Sequence, residues 1–137
     1  MAVFAQTAEK PLATREMDVD GIVAEVIESV RDEGVLTIRV RFRNTGDKPA
    51  KLSLVGNQGY VDTYLSAGKK KYPLIRDDRG REVATPRDGG GWLEPTIRPK
   101  ATYTWWGKFP APPEKSYSLY LKVGPPIDGI PIVDKKS

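Results

Sequence analysis

VLTIRVRFRN, residues 35–44, alternates apolar and polar side chains from its second residue onward. The apolar positions are Leu36, Ile38, Val40 and Phe42, and the polar positions between them are Thr37, Arg39, Arg41 and Arg43. Because neighbouring side chains on a β-strand point to opposite faces, this alternation predicts a strand with one buried face and one face in water.

The preceding stretch, GIVAEVIESV at residues 21–30, fits either a short helix or a strand. Its apolar residues fall at helical spacing, but β-branched side chains are abundant and a turn follows at once, so we predict a strand. A three-residue turn at residues 32–34 would place Glu25 opposite Arg41. This cross-strand ion pair would help to fix the register of the hairpin.

Further short strands are predicted across the rest of the chain, separated by turns rich in Gly, Pro and Asp. They are AKLSLV, GYVDTYL, KKYPLI, REVAT, ATYTWWGKF and SYSLYLKV, beginning at residues 50, 59, 70, 81, 101 and 116. Seven or eight short strands with a turn every ~8–12 residues predict an all-β fold, an immunoglobulin-like antiparallel β-sandwich, with a small barrel as the alternative. The proline-rich stretch PPIDGIPIVD is expected to be an edge strand or a packed tail.

One domain is predicted for residues 21–134, since a chain of 137 residues suits a single core and no tandem repeat divides it. Residues 1–20 lack periodicity and are expected to form a flexible N-terminal arm, followed at the other end by a C-terminal tail at residues 135–137. The start, MAVFAQTAEK, has two interpretations: the remnant of a signal peptide, which would mean export, or an ordinary frayed terminus.

The composition argues against several classes of chemistry. The chain contains no cysteine and no histidine, which removes disulfides, thiolate nucleophiles, soft-metal sites and the usual proton shuttle near neutral pH. We therefore expect a protein that is not an enzyme and needs no metal or cofactor. The 22 basic and 18 acidic residues are interspersed, which argues against dedicated nucleic-acid binding. No apolar run approaches the ~20 residues of a membrane helix.

Several turn and strand motifs carry a family resemblance. They are Asn44-Thr45-Gly46, the string WGKFPAPP at residues 106–113, Ile75-Arg76-Asp77 as a variant of a Leu-Arg-Asp turn, and Leu93-Glu94-Pro95, which lacks the expected glycine. With these motifs, residues 20–134 resemble exported bacterial immunoglobulin-like domains of unknown function, found alone or ahead of an outer-membrane-protein-A-like peptidoglycan-binding domain. The resemblance implies a β-sandwich and a periplasmic or secreted interaction or structural module of the cell envelope, and it indicates no catalytic residue.

The pair Trp105-Trp106 divides between the two faces of its predicted strand. Trp105 shares a face with Tyr103 and Phe109 and is expected in the core, whereas Trp106 is expected at the surface. One hypothesis is an aromatic platform for a sugar ring, with the candidate ligand-binding residues Trp106, Trp92, Tyr120 and Lys108. The simpler alternative is that Trp106 covers the stems of lysine or arginine side chains on a neighbouring strand.

The arginine stripe, defined as Arg39, Arg41 and Arg43, would present guanidinium groups ~7 Å apart on one face, a spacing that suits an anionic partner. Glu25 and other carboxylates would neutralise much of this charge, so a solvated sheet face is the simpler interpretation. The family resemblance implies another envelope protein as the partner, and the aromatic platform implies a glycan.

Two further patterns are explained by local structure without a ligand. Asp77, Asp78 and Asp88 lie in predicted turns, where aspartate needs no ion, although weak calcium binding is an alternative. The PxxPxK pattern at residues 110–115 fits a ligand of SH3-like grooves. In an exported domain, however, a rigid connection between two strands explains it more simply.

Overall fold

The computed structural model describes residues 10–56, 59–87 and 91–135. These residues form eleven β-strands and no helix. The strands are β1 (Ala13–Glu16), β2 (Ile22–Asp32), β3 (Val35–Asn44), β4 (Ala50–Lys51), β5 (Tyr64–Ala67), β6 (Lys70–Pro73), β7 (Thr96–Ile97), β8 (Thr102–Pro110), β9 (Ser116–Tyr120), β10 (Ile127–Pro131) and β11 (Val133–Asp134). The prediction of an all-β fold is thus confirmed.

Two main sheets pack against each other around one core. The five-stranded sheet has the order β1-β2-β3-β8, and β11 pairs with β2 on the same edge as β1. The four-stranded sheet has the order β10-β9-β5-β6, while β4 and β7 form a small third sheet. The architecture is a β-sandwich, as the sequence predicts, and its immunoglobulin-like topology stays a prediction.

The core between the sheets contains large rings held by a few polar contacts. Its largest fully buried side chains are Trp105, Phe42 and Phe109. Trp105 is 0% exposed, as predicted, and its Nε1–H donates to Tyr60 Oη at 3.0 Å. Tyr60 Oη in turn donates to the Thr85 carbonyl at 2.7 Å. Tyr117 and Ser29 share a 2.8 Å hydrogen bond between the two sheets, so these buried polar groups are paired.

The hairpin between β2 and β3 closes with a two-residue turn, so the predicted three-residue turn is wrong. Asp32 pairs with Val35, and Glu33 and Gly34 have φ values of 52° and 80°. Positive φ at both central residues produces the twist that matches the flanking strands. The tighter turn shifts the register near the tip of the hairpin by one residue.

A β-bulge restores the predicted register farther from the tip. The pairing shifts just before Glu28, which lies opposite Arg39. Beyond the shift, Glu25 lies opposite Arg41, as predicted. The extra residue of the bulge therefore keeps Ala24, Val26 and Ser29 buried while each glutamate faces an arginine.

The flexible arm predicted for residues 1–20 is wrong for residues 13–16, which form β1 against β2. Met17, the next residue, is buried. Backbone hydrogen bonds hold this polar edge strand, so it leaves no apolar pattern in the sequence. Residues 1–9 lie outside the described residues, and the signal-peptide interpretation lies there with them.

The proline-rich connection between β8 and β9 is part of the packed fold. Arg31 Nη1 donates to the carbonyls of Pro112 at 2.7 Å and Glu114 at 3.0 Å, and the Pro112 side chain is buried. Ala111 N–H donates to the Gly34 carbonyl at 2.9 Å. These bonds favour the predicted role as a rigid connection over that of a free polyproline ligand.

Candidate functional site

The outer face of the five-stranded sheet brings the predicted surface tryptophan and the arginine stripe together. Buried residues alternate along β3 and β8 with side chains that point away from the core: Arg39, Arg41, Arg43, Trp106 and Lys108. Arg39 lies directly opposite Trp106, and Thr37 lies opposite Lys108. The half-buried state of Trp106 agrees with the prediction from its strand alone.

The backbone of Trp106 is fixed by its neighbour on the far edge of β8. Its N–H donates to Thr85 Oγ1 at 2.8 Å, and its carbonyl accepts the Thr85 N–H at 2.9 Å. Because these groups point away from β3, Trp106 and Arg39 form a non-hydrogen-bonded pair, the geometry in which opposite side chains come closest. The pairing therefore places Trp106 directly opposite an arginine on the neighbouring strand.

Glutamates of β2 balance most of the charge of the arginine stripe. Glu25 accepts from Arg41 Nε at 2.8 Å and from Arg43 Nη2 at 3.2 Å, and Glu28 lies 3.5 Å from Arg39 Nη1. Burial acts to raise the pKa of Glu25, but the hydrogen bonds from the two arginines outweigh it and lower that pKa. This arrangement favours a structured, nearly neutral face over a cationic one.

A groove opens on the same face beside the tip of the β2–β3 hairpin. We call it the hairpin groove, with a volume of about 380 Å³ lined by Asp32, Glu33, Val35, Thr37, Ile75, Val83 and Lys108. Lys108 lies between Thr37 on β3 and the segments of Ile75 and Val83 at the other edge of β8. The three aliphatic residues are half-buried, and Lys108 is exposed. The groove thus adds a concavity with three aliphatic residues in its lining to the surface that carries Trp106, two residues along β8.

Tyr120, another candidate for sugar binding, lies on the four-stranded sheet and not near Trp106. Its ring stacks on that of Tyr64, with centroids 4.7 Å apart and planes 7° apart. Lys71 Nζ lies 4.7 Å from the Tyr64 centroid. One face of the Tyr120 ring is therefore covered by another ring, which reduces the aromatic surface left for a sugar.

Trp92 belongs to a third location, at the end of the small β4–β7 sheet. Its side chain is exposed, and a β-carbon placed on Gly56 would lie 3.9 Å from Trp92 Cζ3 and 3.1 Å from Lys122 Cε. Glu94, two residues along, accepts from Ser53 Oγ at 2.9 Å. The four residues predicted as one sugar-binding site are thus divided: Trp106 and Lys108 lie together, while Trp92 and Tyr120 lie elsewhere.

A second cavity, of about 410 Å³, was not predicted from the sequence. Tyr60, Thr85, Arg81 and Arg87 contribute to its lining, and Glu82 lies 3.8 Å from Arg87 Nη2. Burial raises the pKa of Tyr60 to about 12. The segments that build this cavity form only isolated bridges, so no periodic pattern in the sequence marks it.

The aspartates in turns have a local role. Asp77 Oδ1 accepts the N–H groups of Arg79 and Arg81, both at 2.9 Å, and these bonds lower its pKa. Within residues 10–56, 59–87 and 91–135 there is no group of three or more acidic side chains arranged to hold a metal ion. Asp88 lies outside the described residues. The turn-forming role predicted for Asp77 agrees with this geometry.

Comparison of the chain with protein-family models, curated proteins and solved structures finds no match. In the described part of the chain, no helix has the length and apolar character needed to cross a membrane.

Proposed function

We propose that the protein is a non-enzymatic interaction module of the bacterial cell envelope, periplasmic or secreted, that binds a protein partner through the outer face of the five-stranded sheet. The observation that carries this proposal is the direct pairing of Trp106 with Arg39 on that face. Tryptophan and arginine are among the residue types that most often dominate the energy of protein interfaces.

The surface around this pair supports binding because it is already held in place. Two hydrogen bonds to Thr85 fix the backbone of Trp106, so little backbone entropy is lost when a partner covers the indole. The ion pairs of Glu25 and Glu28 hold the neighbouring arginines in the same way. Preformed surfaces of this kind change little between the free and bound states.

The ionisable groups support a binding role over acid–base catalysis. The described carboxylates with a perturbed pKa are Glu25, Asp77, Glu94 and Asp134, and in each the pKa is lowered. A carboxylic acid that works as a general acid near neutral pH needs the opposite shift. The perturbed tyrosines have raised pKa values, which disfavours them as bases or nucleophiles.

The envelope location is supported by the motifs of the family resemblance, above all Asn44-Thr45-Gly46 and the string at residues 106–113. Carbohydrate binding is the second candidate function, and the exposed Trp92 beside Lys122 favours it. A glycan on this surface would quench Trp92 fluorescence, and Trp92→Ala would abolish that signal. A panel of peptidoglycan fragments and polysaccharides without any quenching would refute this candidate.

Site-specific photo-crosslinking in the native host tests the proposed function. A photoreactive phenylalanine at Thr104, an exposed position two residues before Trp106 on the same face, should yield a discrete protein adduct. Ser116, exposed on the four-stranded sheet, is the matched control position and should not yield that adduct. Arg39→Ala or Trp106→Ala should remove it without unfolding the protein, which thermal denaturation checks.

Three results would count against the proposal. The same adducts from Thr104 and Ser116, or an adduct that survives both substitutions, would separate any partner from the Trp106–Arg39 pair. Recovery of the protein in the cytoplasmic fraction of its host would contradict the envelope location.

A further inference from the structure

We infer that the hairpin groove binds a segment of a protein partner that places one aliphatic side chain in the groove and one carboxylate against Lys108. This inference rests on the proposed function, because it names the chemistry of the partner on the same face. It adds a site whose aliphatic residues come from three separate parts of the chain, around Val35, Ile75 and Val83.

The apolar part of the groove is preformed by backbone hydrogen bonds. Ile75 N–H donates to the Lys108 carbonyl at 2.9 Å, Lys108 N–H donates to the Val83 carbonyl at 2.9 Å, and Val83 N–H donates to the Ile75 carbonyl at 2.8 Å. This closed set of bonds fixes Ile75 and Val83 against the edge of β8. The half-buried aliphatic side chains can lose further water contact only if a ligand covers them.

Size and shape suit one side chain with its flanking backbone. A volume of about 380 Å³ lies at the lower end of the range for sites that take small ligands or anchor residues. Val35, Ile75 and Val83 present only aliphatic carbon, so the favoured occupant is an aliphatic residue such as leucine. Thr37 in the lining supplies the hydroxyl group that can bond to the backbone of the ligand.

Charge fixes the direction in which the segment lies. Among the described residues Lys108 has no ion-pair partner, whereas Asp32 beside the groove is paired with Lys135 at 3.5 Å. Glu33 at the hairpin tip would repel an acidic group. A carboxylate next to the aliphatic anchor therefore points toward Lys108 and away from the tip.

The position of Trp106 extends this surface. It lies two residues before Lys108 on the same side of β8, so their side chains are ~7 Å apart along the strand. A segment anchored in the hairpin groove would continue over the indole and Arg39. The hairpin groove and the Trp106–Arg39 pair would then belong to one interface.

A titration followed by NMR tests the inference. The probes are three blocked dipeptides, acetyl-Leu-Asp-amide, acetyl-Leu-Lys-amide and acetyl-Ser-Asp-amide, added to the full isotope-labelled chain. The Leu-Asp probe should shift the amide signals of Val35, Thr37, Val83 and Lys108 and saturate at the lowest concentration. The other two should bind about five-fold more weakly, because the Leu-Lys probe lacks the carboxylate and the Ser-Asp probe lacks the aliphatic side chain.

A charge swap distinguishes recognition from non-specific contact. Lys108→Glu should reverse the preference, so that the Leu-Lys probe binds more tightly than the Leu-Asp probe. Lys70→Glu, an exposed lysine of the four-stranded sheet, is the matched control and should leave the original preference unchanged. Both positions are exposed, so neither change should alter the fold, and the spread of the remaining amide signals checks this.

Three outcomes would overturn the inference: no shifts confined to the hairpin groove, equal binding of all three probes, or the same preference after Lys108→Glu. In each case a crosslink at Thr104 that depends on Trp106 would still support the proposed function. Loss of that crosslink together with groove shifts for the Leu-Asp probe would instead separate the hairpin groove from the interface.

Discussion

Replacing Tyr60 with phenylalanine removes one hydroxyl group that joins the core to the irregular segment beside β8. This hydroxyl accepts the Trp105 Nε1–H at 3.0 Å and donates to the Thr85 carbonyl at 2.7 Å. Trp105 is 0% exposed, so water cannot replace the lost acceptor. A buried donor without a partner costs about 1–3 kcal/mol, and the lost bond to Thr85 costs about 0.5–1 kcal/mol.

The sum, about 1.5–4 kcal/mol, is large enough to measure in a chain of this size. The entropy of unfolding expected for 137 residues converts it to a fall in Tm of about 5–14 °C. Urea denaturation should give the same loss in the free energy of unfolding with an unchanged slope. The indole Nε1–H signal of Trp105 should move to the position of an unbonded indole.

A double-mutant cycle isolates the hydrogen bond from the change in packing. In a Trp105→Phe background the donor is absent, so Tyr60→Phe should then cost only about 0.5–1 kcal/mol. Tyr103→Phe is the matched control, since the Tyr103 ring is half-buried against the same core and no hydrogen bond of its hydroxyl occurs among the described residues. A cost of Tyr60→Phe below about 0.5 kcal/mol, or equal costs in both backgrounds, would refute the reasoning.

Three further predictions concern pH and backbone geometry. Burial raises the pKa of Tyr60 from 10.0 to about 12, so its contribution to stability is present below pH 10 and is lost as the pH rises toward 12. In that pH range the free energy of unfolding of Tyr60→Phe should therefore fall less steeply than that of the unmodified protein, as denaturation at several pH values would show. Although burial acts to raise the pKa of Glu25, hydrogen bonds from Arg41 and Arg43 lower it, so its contribution is present above pH 4.5 and is lost as the pH falls below that value. Glu25→Gln should therefore have a lower free energy of unfolding above pH 4.5, and that free energy should fall less steeply as the pH decreases below 4.5. The same pH dependence below 4.5 in both proteins would contradict this. Gly34→Ala should lower stability by about 1 kcal/mol, because φ is 80° there and a β-carbon would meet no atom within 4 Å, which leaves backbone strain as the only cost; thermal denaturation measures it, and an unchanged Tm would show the turn to be relaxed.

Local pattern predicted those parts of the fold whose side chains alternate. Leu36 through Arg43 specify both faces of β3, and the same rule assigns Trp105 to the core and Trp106 to the outer face. The pairing of Glu25 with Arg41 was predicted correctly from the register of the hairpin. The structure of the hairpin tip was not predicted, because the turn has two residues instead of three and the bulge before Glu28 compensates for the difference.

The candidate site was predictable only where its residues share a strand or a pair of neighbouring strands. Trp106, Lys108 and Arg39 meet because β3 and β8 pair, whereas Trp92 lies in a loop without a periodic signal and Tyr120 lies on β9 in the other sheet. The aliphatic residues of the hairpin groove were missed for the same reason. Ile75 and Val83 join through hydrogen bonds to Lys108 across long sequence separations, which composition and periodicity do not encode.

The edge that β1 and β11 share has a consequence for how the molecule can be attached or manipulated. β1 runs antiparallel and β11 parallel to β2, so the chain leading into β1 and the chain leaving β11 extend toward the same pole of the sandwich, where the hairpin tip lies. Lys135, just after β11, lies 3.5 Å from Asp32 in the lining of the hairpin groove. A bulky group attached at Lys135 would therefore crowd the groove, while the opposite pole, at Asn44, would remain clear.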